Sequence, residues 1–207
     1  MGSKEYFDEV AKDWDAMRKG FFSDAVREKA YSVAGVEKGK LAADIGAGTG
    51  FITEGLAKKG LRVIAVDGSQ AMLDEMRSKL ADSGLVDCRV GEAESLPVAD
   101  NAVDYAFANM FLHHVDDPLS SIKEMTRILK PGGKLVITDL DEHNFEFLRT
   151  EQHDRWLGFQ RDDIRKWFSE AGLKNVIVDC VGENCCSQSE CGCASASVSI
   201  FVASGEM

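Results

Sequence analysis

The chain has 207 residues, 44% hydrophobic and 29% charged, which is typical of a folded globular protein and argues against disorder. Its 24 basic and 35 acidic residues give a formal net charge of −11, and a surface this acidic disfavours DNA or RNA as a partner. No apolar run reaches the roughly 18 residues of a spanning helix. The first ten residues hold no apolar signal segment. We therefore expect a cytoplasmic protein without membrane insertion, and one domain over residues 1–207.

Short apolar runs alternate with amphipathic helical stretches along the chain. The spacing of apolar residues predicts helical segments at 5–34, 50–59, 69–82, 118–130 and 161–171. Strands are predicted at 40–45, 61–66, 87–90, 103–108, 134–138, 176–181 and 197–203. This alternation predicts a doubly wound α/β fold with a seven-stranded, mostly parallel sheet and helices on both faces. No helix separates the last two strands, so they are predicted to form a C-terminal antiparallel hairpin.

A glycine cluster, Asp44-Ile45-Gly46-Ala47-Gly48-Thr49-Gly50, directly follows the first predicted strand and opens a helix. In a doubly wound sheet this turn lies at the carboxyl edge, where ligands bind. The next strand ends in Asp67, 21 residues after Gly46, where a carboxylate can bind both hydroxyls of a ribose. A plain tight turn is the alternative interpretation. A nicotinamide-binding oxidoreductase is disfavoured, because Phe51 stands where the dinucleotide fingerprint requires a glycine.

Four segments carry a resemblance to a known family: LAADIGAGTGFIT, VIAVDGSQAML, GEAESLPVADNAVDYAFANMFLHHVDDP and RILKPGGKLVITDL. They resemble the motifs of class I S-adenosylmethionine-dependent methyltransferases, in family order, over roughly residues 5–203. Within that class the chain is most similar to the small-molecule branch that includes the ubiquinone/menaquinone and arsenite methyltransferases. The resemblance implies a Rossmann-like fold, S-adenosylmethionine as cofactor, and direct in-line methyl transfer to a small-molecule acceptor.

The resemblance also implies which residues bind the cofactor. Asp44 would contact the amino end of its methionine moiety and Asn109 would lie beside that moiety, while Asp67 would bind the ribose. The backbone cradle would be Gly46, Ala47, Gly48, Thr49 and Gly50. The adenine would lie against Gly68, Met72, Glu92 and Ala93. Met72 as a core residue and Glu92 as a solvated loop acid are the alternatives.

Residues 1–34 are expected to act as a helical lid, with the aromatic side chains of Tyr6, Phe7 and Trp14 over the cofactor. A packed amphipathic face is the alternative interpretation. His113 and His114 follow the fourth strand at the ligand edge, where a general base would lie, although such a pair also serves as loop structure.

Four cysteines, Cys185, Cys186, Cys191 and Cys193, crowd into the predicted hairpin loop at 182–196. If the sixth strand runs parallel to the first five, this loop emerges at the ligand edge. Soft thiol ligands would suit a structural zinc ion, a soft metalloid acceptor such as arsenite, or a thiol acceptor, and a redox-active loop is the further alternative.

Three functions therefore remain open from the sequence. The first is methyl transfer to a small acceptor, possibly a metalloid or thiol held by the cysteine loop. The second is methyl transfer to a quinol-like carbon or oxygen, with the cysteines as a zinc or redox element. The third is a non-catalytic metal-binding or sensing protein. The sequence does not choose an oligomeric state.

Overall fold

The structure, a computed structural model, describes residues 3–189 and 191–207. The α-helices in these ranges are α1 Ser3–Val10, α2 Trp14–Phe21, α3 Ala25–Ala34, α4 Phe51–Lys58, α5 Gln70–Leu80, α6 Pro118–Arg127, α7 Phe147–Glu151 and α8 Arg161–Glu170. The strands are β1 Leu41–Ile45, β2 Arg62–Asp67, β3 Val86–Val90, β4 Val103–Asn109, β5 Leu129–Leu140, β6 Lys174–Gln188 and β7 Ser195–Glu206. Short 3-10 turns cover Ala81–Ser83 and Leu112–His114.

The strands form one seven-stranded sheet in the order β3-β2-β1-β4-β5-β7-β6. Strands β1 to β5 pair in parallel, whereas β7 runs antiparallel to both β5 and β6. The predicted fold class is confirmed, including the C-terminal antiparallel hairpin. Because β6 is parallel to β5, the β6–β7 turn emerges at the carboxyl edge of the sheet, the edge at which the glycine cluster also lies.

Local sequence explains where the helices near this edge begin. Ser69 caps α5, its hydroxyl accepting a hydrogen bond from the Met72 N–H at 3.1 Å. Asp117 caps α6 in the same way, with Pro118 in the first helical turn. The central strands are buried on both faces, which their continuous apolar runs require in a parallel sheet.

The predicted helical segment at 5–34 is divided into three helices. Only α1 and α2 lie over the carboxyl edge. In contrast, α3 packs against the sheet, where its buried Tyr31 meets the ring of Phe107 edge-on at 5.9 Å. The third helix is therefore part of the core, and of the segment 1–34 that is expected to form a lid, only α1 and α2 lie where a lid would.

The C-terminal hairpin is longer than the sequence indicated. Strand β6 continues to Gln188 and β7 begins at Ser195, so most of the predicted loop at 182–196 is paired strand. This extension projects past the carboxyl edge, where Val198 and Ile200 pack with Leu140 and Leu148. Across the described ranges, no helix has the length and apolar character needed to cross a membrane.

Candidate active site

The glycine cluster forms a sharp turn between β1 and α4. Gly46, Gly48 and Gly50 have φ angles of 66°, 53° and 96°, a region that residues with side chains rarely adopt. A Cβ atom at Gly46 would overlap the ring of Phe111, and one at Gly50 would come within 2.9 Å of Met76 Cγ. The turn therefore presents backbone rather than side chains to the space beside it.

Asp67, at the end of β2, is tied to this turn. Its Oδ2 accepts a hydrogen bond from the Gly48 N–H at 2.7 Å, and its Oδ1 accepts one from the Ser69 N–H at 2.8 Å. Burial raises the pKa of Asp67, although these two backbone bonds oppose the rise. Each oxygen has a further lone pair for a ribose hydroxyl.

Asp44 is fully buried at the start of the turn. Its Oδ2 accepts hydrogen bonds from the backbone N–H and the hydroxyl of Thr53, at 3.0 and 2.6 Å, so it also fixes the first turn of α4. Burial raises its pKa to about 7 despite these bonds. A cationic ligand group would restore the ionised form.

A cavity of about 360 Å³ opens between the turn, the ends of β1, β2 and β4, and helices α1 and α2. This volume suits a nucleoside-sized ligand. Its walls include most of the cofactor-binding residues predicted from the sequence: Asp44, Gly46, Ala47, Gly48, Thr49, Asp67, Gly68, Met72, Glu92, Ala93 and Asn109. Gly50 is not among the lining residues, because it packs against Met76 at the start of α4.

The two N-terminal helices close one side of this cavity. Phe7 and Trp14 line it and meet edge-to-face at 5.3 Å, whereas Tyr6 is not part of its wall and stacks on His153. Two hydrogen bonds join these helices to the carboxyl edge of the sheet. The Ser69 hydroxyl donates to Asp8 at 2.5 Å, and the Thr49 hydroxyl donates to Asp15 at 2.6 Å.

Arg18 is a site residue that the sequence did not reveal. It is buried, it lines the large cavity, and its guanidinium lies 4.1 Å from the centroid of the Phe51 ring. Its Nε has no hydrogen-bond partner among the residues that the structure describes. Its other nitrogens are only weakly engaged, with the Phe22 carbonyl oxygen 3.5 Å from Nη1 and Asp24 Oδ1 3.9 Å from Nη2. A buried guanidinium with one unpaired N–H beside a cavity is suited to an anionic ligand group. A single arginine on an amphipathic helix carries no sequence signal of this placement.

A second cavity, of about 60 Å³, lies beside the first and under the projecting hairpin. Its apolar wall consists of Phe7, Trp14, Phe21, Phe22, Met110, Leu140, Leu148, Ala196 and Val198, and its polar lining residues are His113, His114, Gln152, Asp154, Cys185 and Ser187. Phe7, Trp14, Phe22, Met110 and His114 line both cavities. The two spaces therefore share a wall. The Ser187 hydroxyl oxygen has no partner within the described ranges.

The predicted histidine pair is divided between two environments. His113 is buried with Nδ1 2.6 Å from Asp139 Oδ1 and Nε2 3.7 Å from Asp154 Oδ1. Burial alone would lower its pKa, but the two carboxylates outweigh it and raise the value to about 9. Burial and the neighbouring His113 instead hold the pKa of His114 well below its usual value. His114 reaches both cavities and His113 only the second, so the geometry favours His114 for ligand contact, while a base role for either stays a prediction.

The four clustered cysteines do not meet as a set of metal ligands. Cys185 and Cys186 are consecutive on β6, so their side chains point to opposite faces, and only Cys185 lines the second cavity. Cys191 and Cys193 form a disulfide with each other. Burial raises the pKa of the Cys185 thiol to about 12, which keeps it protonated at neutral pH. The predicted four-thiol site is not formed in this arrangement, because strand alternation separates the first pair and the second pair is already bonded.

The family model that matches this chain and two of its relatives are methyltransferases. A family model described as a methyltransferase domain, Methyltransf_11, matches residues 43–137. The demethylmenaquinone methyltransferase of Renibacterium salmoninarum is 33% identical over 147 residues, covering 70% of this chain and 61% of that protein. That of Staphylococcus aureus is 28% identical over 204 residues, covering 83% and 85%. This chain thus spans less than two thirds of the length of the Renibacterium relative.

Solved structures agree in fold. A putative methyltransferase in complex with the Haloferax volcanii Trm112 methyltransferase activator superposes with a TM-score of 0.80 at 22% identity, covering 99% of this chain and 97% of that one. A Thermotoga maritima S-adenosylmethionine-dependent methyltransferase, described as a possible histamine N-methyltransferase, gives 0.68 at 20% identity, covering 99% of both chains. The sheet order, the glycine turn and the matched family together define a methyltransferase fold. The chain belongs to the class I S-adenosylmethionine-dependent methyltransferases, as its motifs predicted.

Proposed function

We propose that the protein transfers the methyl group of S-adenosylmethionine to a small, largely apolar acceptor by direct in-line displacement. The observation that carries this proposal is the wall shared by the two cavities, since it puts a nucleoside-sized site next to a smaller, mostly apolar one. Bound S-adenosylmethionine supplies an electrophilic methyl group: the acceptor's lone pair forms the new bond to carbon, and the carbon–sulfur pair returns to sulfur.

The residues of the large cavity fit this cofactor in charge as well as in shape. Asp67 offers two carboxylate oxygens for the ribose, and the glycine turn allows close backbone approach. Asp44 suits the cofactor's ammonium group, and the free Nε of Arg18 suits its carboxylate. Phe7 and Trp14 supply aromatic faces on the lid side, which favour a cation and exclude water.

The proposed acceptor site favours a hydroxylated aromatic compound. Its wall is mainly aromatic and aliphatic, and its polar lining residues include His114, Asp154 and Ser187, whose hydroxyl has no partner among the described residues. An aromatic ring with one or two hydroxyls would satisfy both features. The two relatives named demethylmenaquinone methyltransferases point to the same chemistry. A naphthohydroquinone is therefore the acceptor class that we propose.

The metalloid alternative is less well supported. A trivalent metalloid needs several thiolates, but Cys185 is the single clustered cysteine in the acceptor cavity, and its high pKa keeps it as a thiol. A structural zinc ion held by the four cysteines is also less well supported, because Cys185 and Cys186 point to opposite faces of β6 and Cys191 is bonded to Cys193. A sensing role for that loop loses support with it.

The test measures S-adenosylhomocysteine formation with two acceptors, a short-chain naphthohydroquinone and arsenite with excess thiol. Cys185→Ser and Cys186→Ser form a matched pair, since the first side chain lines the cavity and the second lies on the opposite face. We expect turnover with the hydroquinone in the wild type and in both variants. Ala196→Phe, which fills the second cavity, should lose turnover while still binding S-adenosylhomocysteine. Turnover with arsenite alone, abolished in Cys185→Ser, would replace the hydroquinone proposal with the metalloid one.

A further inference from the structure

Three potential metal ligands converge at the second cavity. One nitrogen from each of His113 and His114 and one oxygen of Asp154 lie within 4.8 Å of one another. His113 Nε2 lies 3.7 Å from Asp154 Oδ1. In a tetrahedral zinc site with bonds of roughly 2.0–2.1 Å, ligand atoms lie about 3.4 Å apart. The His113–Asp154 distance is close to this value, and the set as a whole, whose atoms lie within 4.8 Å of one another, would contract around a bound ion.

Both imidazoles are already oriented by their other nitrogen. His113 Nδ1 lies 2.6 Å from Asp139 Oδ1, and His114 Nδ1 lies 3.3 Å from the carbonyl oxygen of His153. With Nδ1 directed at these oxygens, Nε2 is the nitrogen that a metal ion would bind, in place of any proton that it carries. Metal-binding histidines have this arrangement, with a carboxylate or a backbone carbonyl behind the ring.

The charge of the cluster also suits a divalent ion. Asp139 and Asp154 are both buried, and buried carboxylates require a compensating positive charge. A divalent cation at this position would supply that charge, and the two carboxylates would balance it. The alternative is that a protonated His113 lies between the two carboxylates without any metal.

We propose that His113, His114 and Asp154 bind a divalent transition-metal ion whose open coordination position faces the acceptor cavity. Two imidazoles and one carboxylate form a ligand set that suits zinc or a similar ion and leaves at least one position open. All three ligands line the cavity that we assign to the acceptor, and His114 also reaches the cofactor cavity. At that position the ion coordinates a polar atom of the acceptor. This part of the proposal rests on the proposed function, whereas metal binding itself does not.

The experiment titrates chelator-stripped, full-length protein with Zn²⁺ and measures bound metal by mass spectrometry. We expect one tightly held ion per chain in the wild type. Asp154→Asn and His114→Gln should each weaken binding at least tenfold, while His143→Gln, a histidine outside both cavities, should leave it unchanged. Two separate ligand variants are used so that misfolding of one does not decide the result, and S-adenosylhomocysteine binding serves as the folding check for each.

Substitution with Co²⁺ distinguishes metal bound at this site from metal bound by the cysteines. Nitrogen and oxygen ligands should give d–d bands without a thiolate charge-transfer band. A wild type that retains no zinc, or stoichiometric zinc that survives in both ligand variants, would overturn the proposal. Turnover assays on the same preparations keep the two proposals distinct. Metal binding without methyl transfer would contradict only the proposed function, and methyl transfer by metal-free protein that takes up no zinc would contradict only the metal site.

Discussion

The hydroxyl of Thr49, in the glycine turn, donates a 2.6 Å hydrogen bond to Asp15 of helix α2. The other oxygen of Asp15 pairs with Lys79 of α5 at 2.6 Å. The carboxylate of Asp15 thus joins the glycine turn to α5, the helix that follows β2. Because the Lys79 pair is exposed, its own contribution is expected to be at most about 1 kcal/mol, and the Thr49 bond is the more important link.

Asp15→Ala should therefore loosen the lid. We expect S-adenosylhomocysteine to bind about tenfold more weakly, mainly through faster release, because both links are lost while the cavity wall is kept. Asp15→Asn retains an acceptor for Thr49 and should fall between this variant and the wild type. Calorimetry and stopped-flow Trp fluorescence would measure both quantities. Asp13→Ala is the matched control, since Asp13 precedes α2 without a side-chain capping bond, and equal effects in the two alanine variants would contradict this interpretation.

Asp67→Ala should remove the ribose contacts. Each hydrogen bond to a charged group contributes roughly 1.5–3 kcal/mol, so we expect affinity for S-adenosylhomocysteine to fall about 100-fold. The melting temperature should also fall, because the Gly48 N–H loses its acceptor. Asp74→Ala, at an exposed position on α5 where the side chain pairs with Arg77, is the control. Unchanged cofactor affinity in Asp67→Ala would remove this residue from the binding site.

Much of this site could be predicted because it depends on local backbone requirements. The glycine turn, the Ser69 and Asp117 caps and the position of Asp67 follow from residue types at fixed offsets along one strand–turn–helix unit. The strand alternation likewise predicts the sheet. These features need no knowledge of contacts between distant parts of the chain.

Other parts could not be predicted because they arise from long-range packing. Arg18 lines the cavity only because α2 packs near the start of α4, where the guanidinium lies over the Phe51 ring, and Asp154 meets His113 across 41 positions of sequence. The arrangement of the cysteines could not be predicted for a related reason. Their spacing suggested a loop, but pairing between β6 and β7 extends through Cys185 and Cys186 and turns them to opposite faces.

Cofactor binding should release a proton through Asp44. Burial raises the pKa of this carboxyl to about 7 in the free protein, so a substantial fraction is protonated at pH 6. The ammonium group of a bound cofactor would favour the carboxylate, lower this pKa and release the proton. Calorimetry at pH 6 in two buffers of different ionisation enthalpy should detect the release, and Asp44→Asn should reduce it.

The same shift has a defined effect on stability. The pKa of Asp44 is higher in the folded protein than its ordinary value of 3.8, so its stabilising contribution is complete below about pH 4 and is lost as the pH rises through 7. Denaturant unfolding of the cofactor-free protein should show this decline, and Asp44→Asn should flatten it. Asp67, whose pKa burial also raises, would account for a residual slope. An identical pH profile in wild type and variant would contradict the assignment.

Arg18→Gln should separate recognition of the cofactor's amino-acid part from that of its nucleoside. If the buried guanidinium binds the carboxylate, affinity for S-adenosylhomocysteine should fall at least tenfold, since charge-assisted bonds of this kind are the stronger ones. Affinity for 5′-methylthioadenosine, which lacks the carboxylate, should stay within about twofold of the wild type. Arg27→Gln is the matched control, because Arg27 also lies over the Phe51 ring, at 5.1 Å, but does not line the cavity. Equal losses for the two ligands in Arg18→Gln would show that this side chain supports the cavity wall through Phe51 instead of binding the carboxylate.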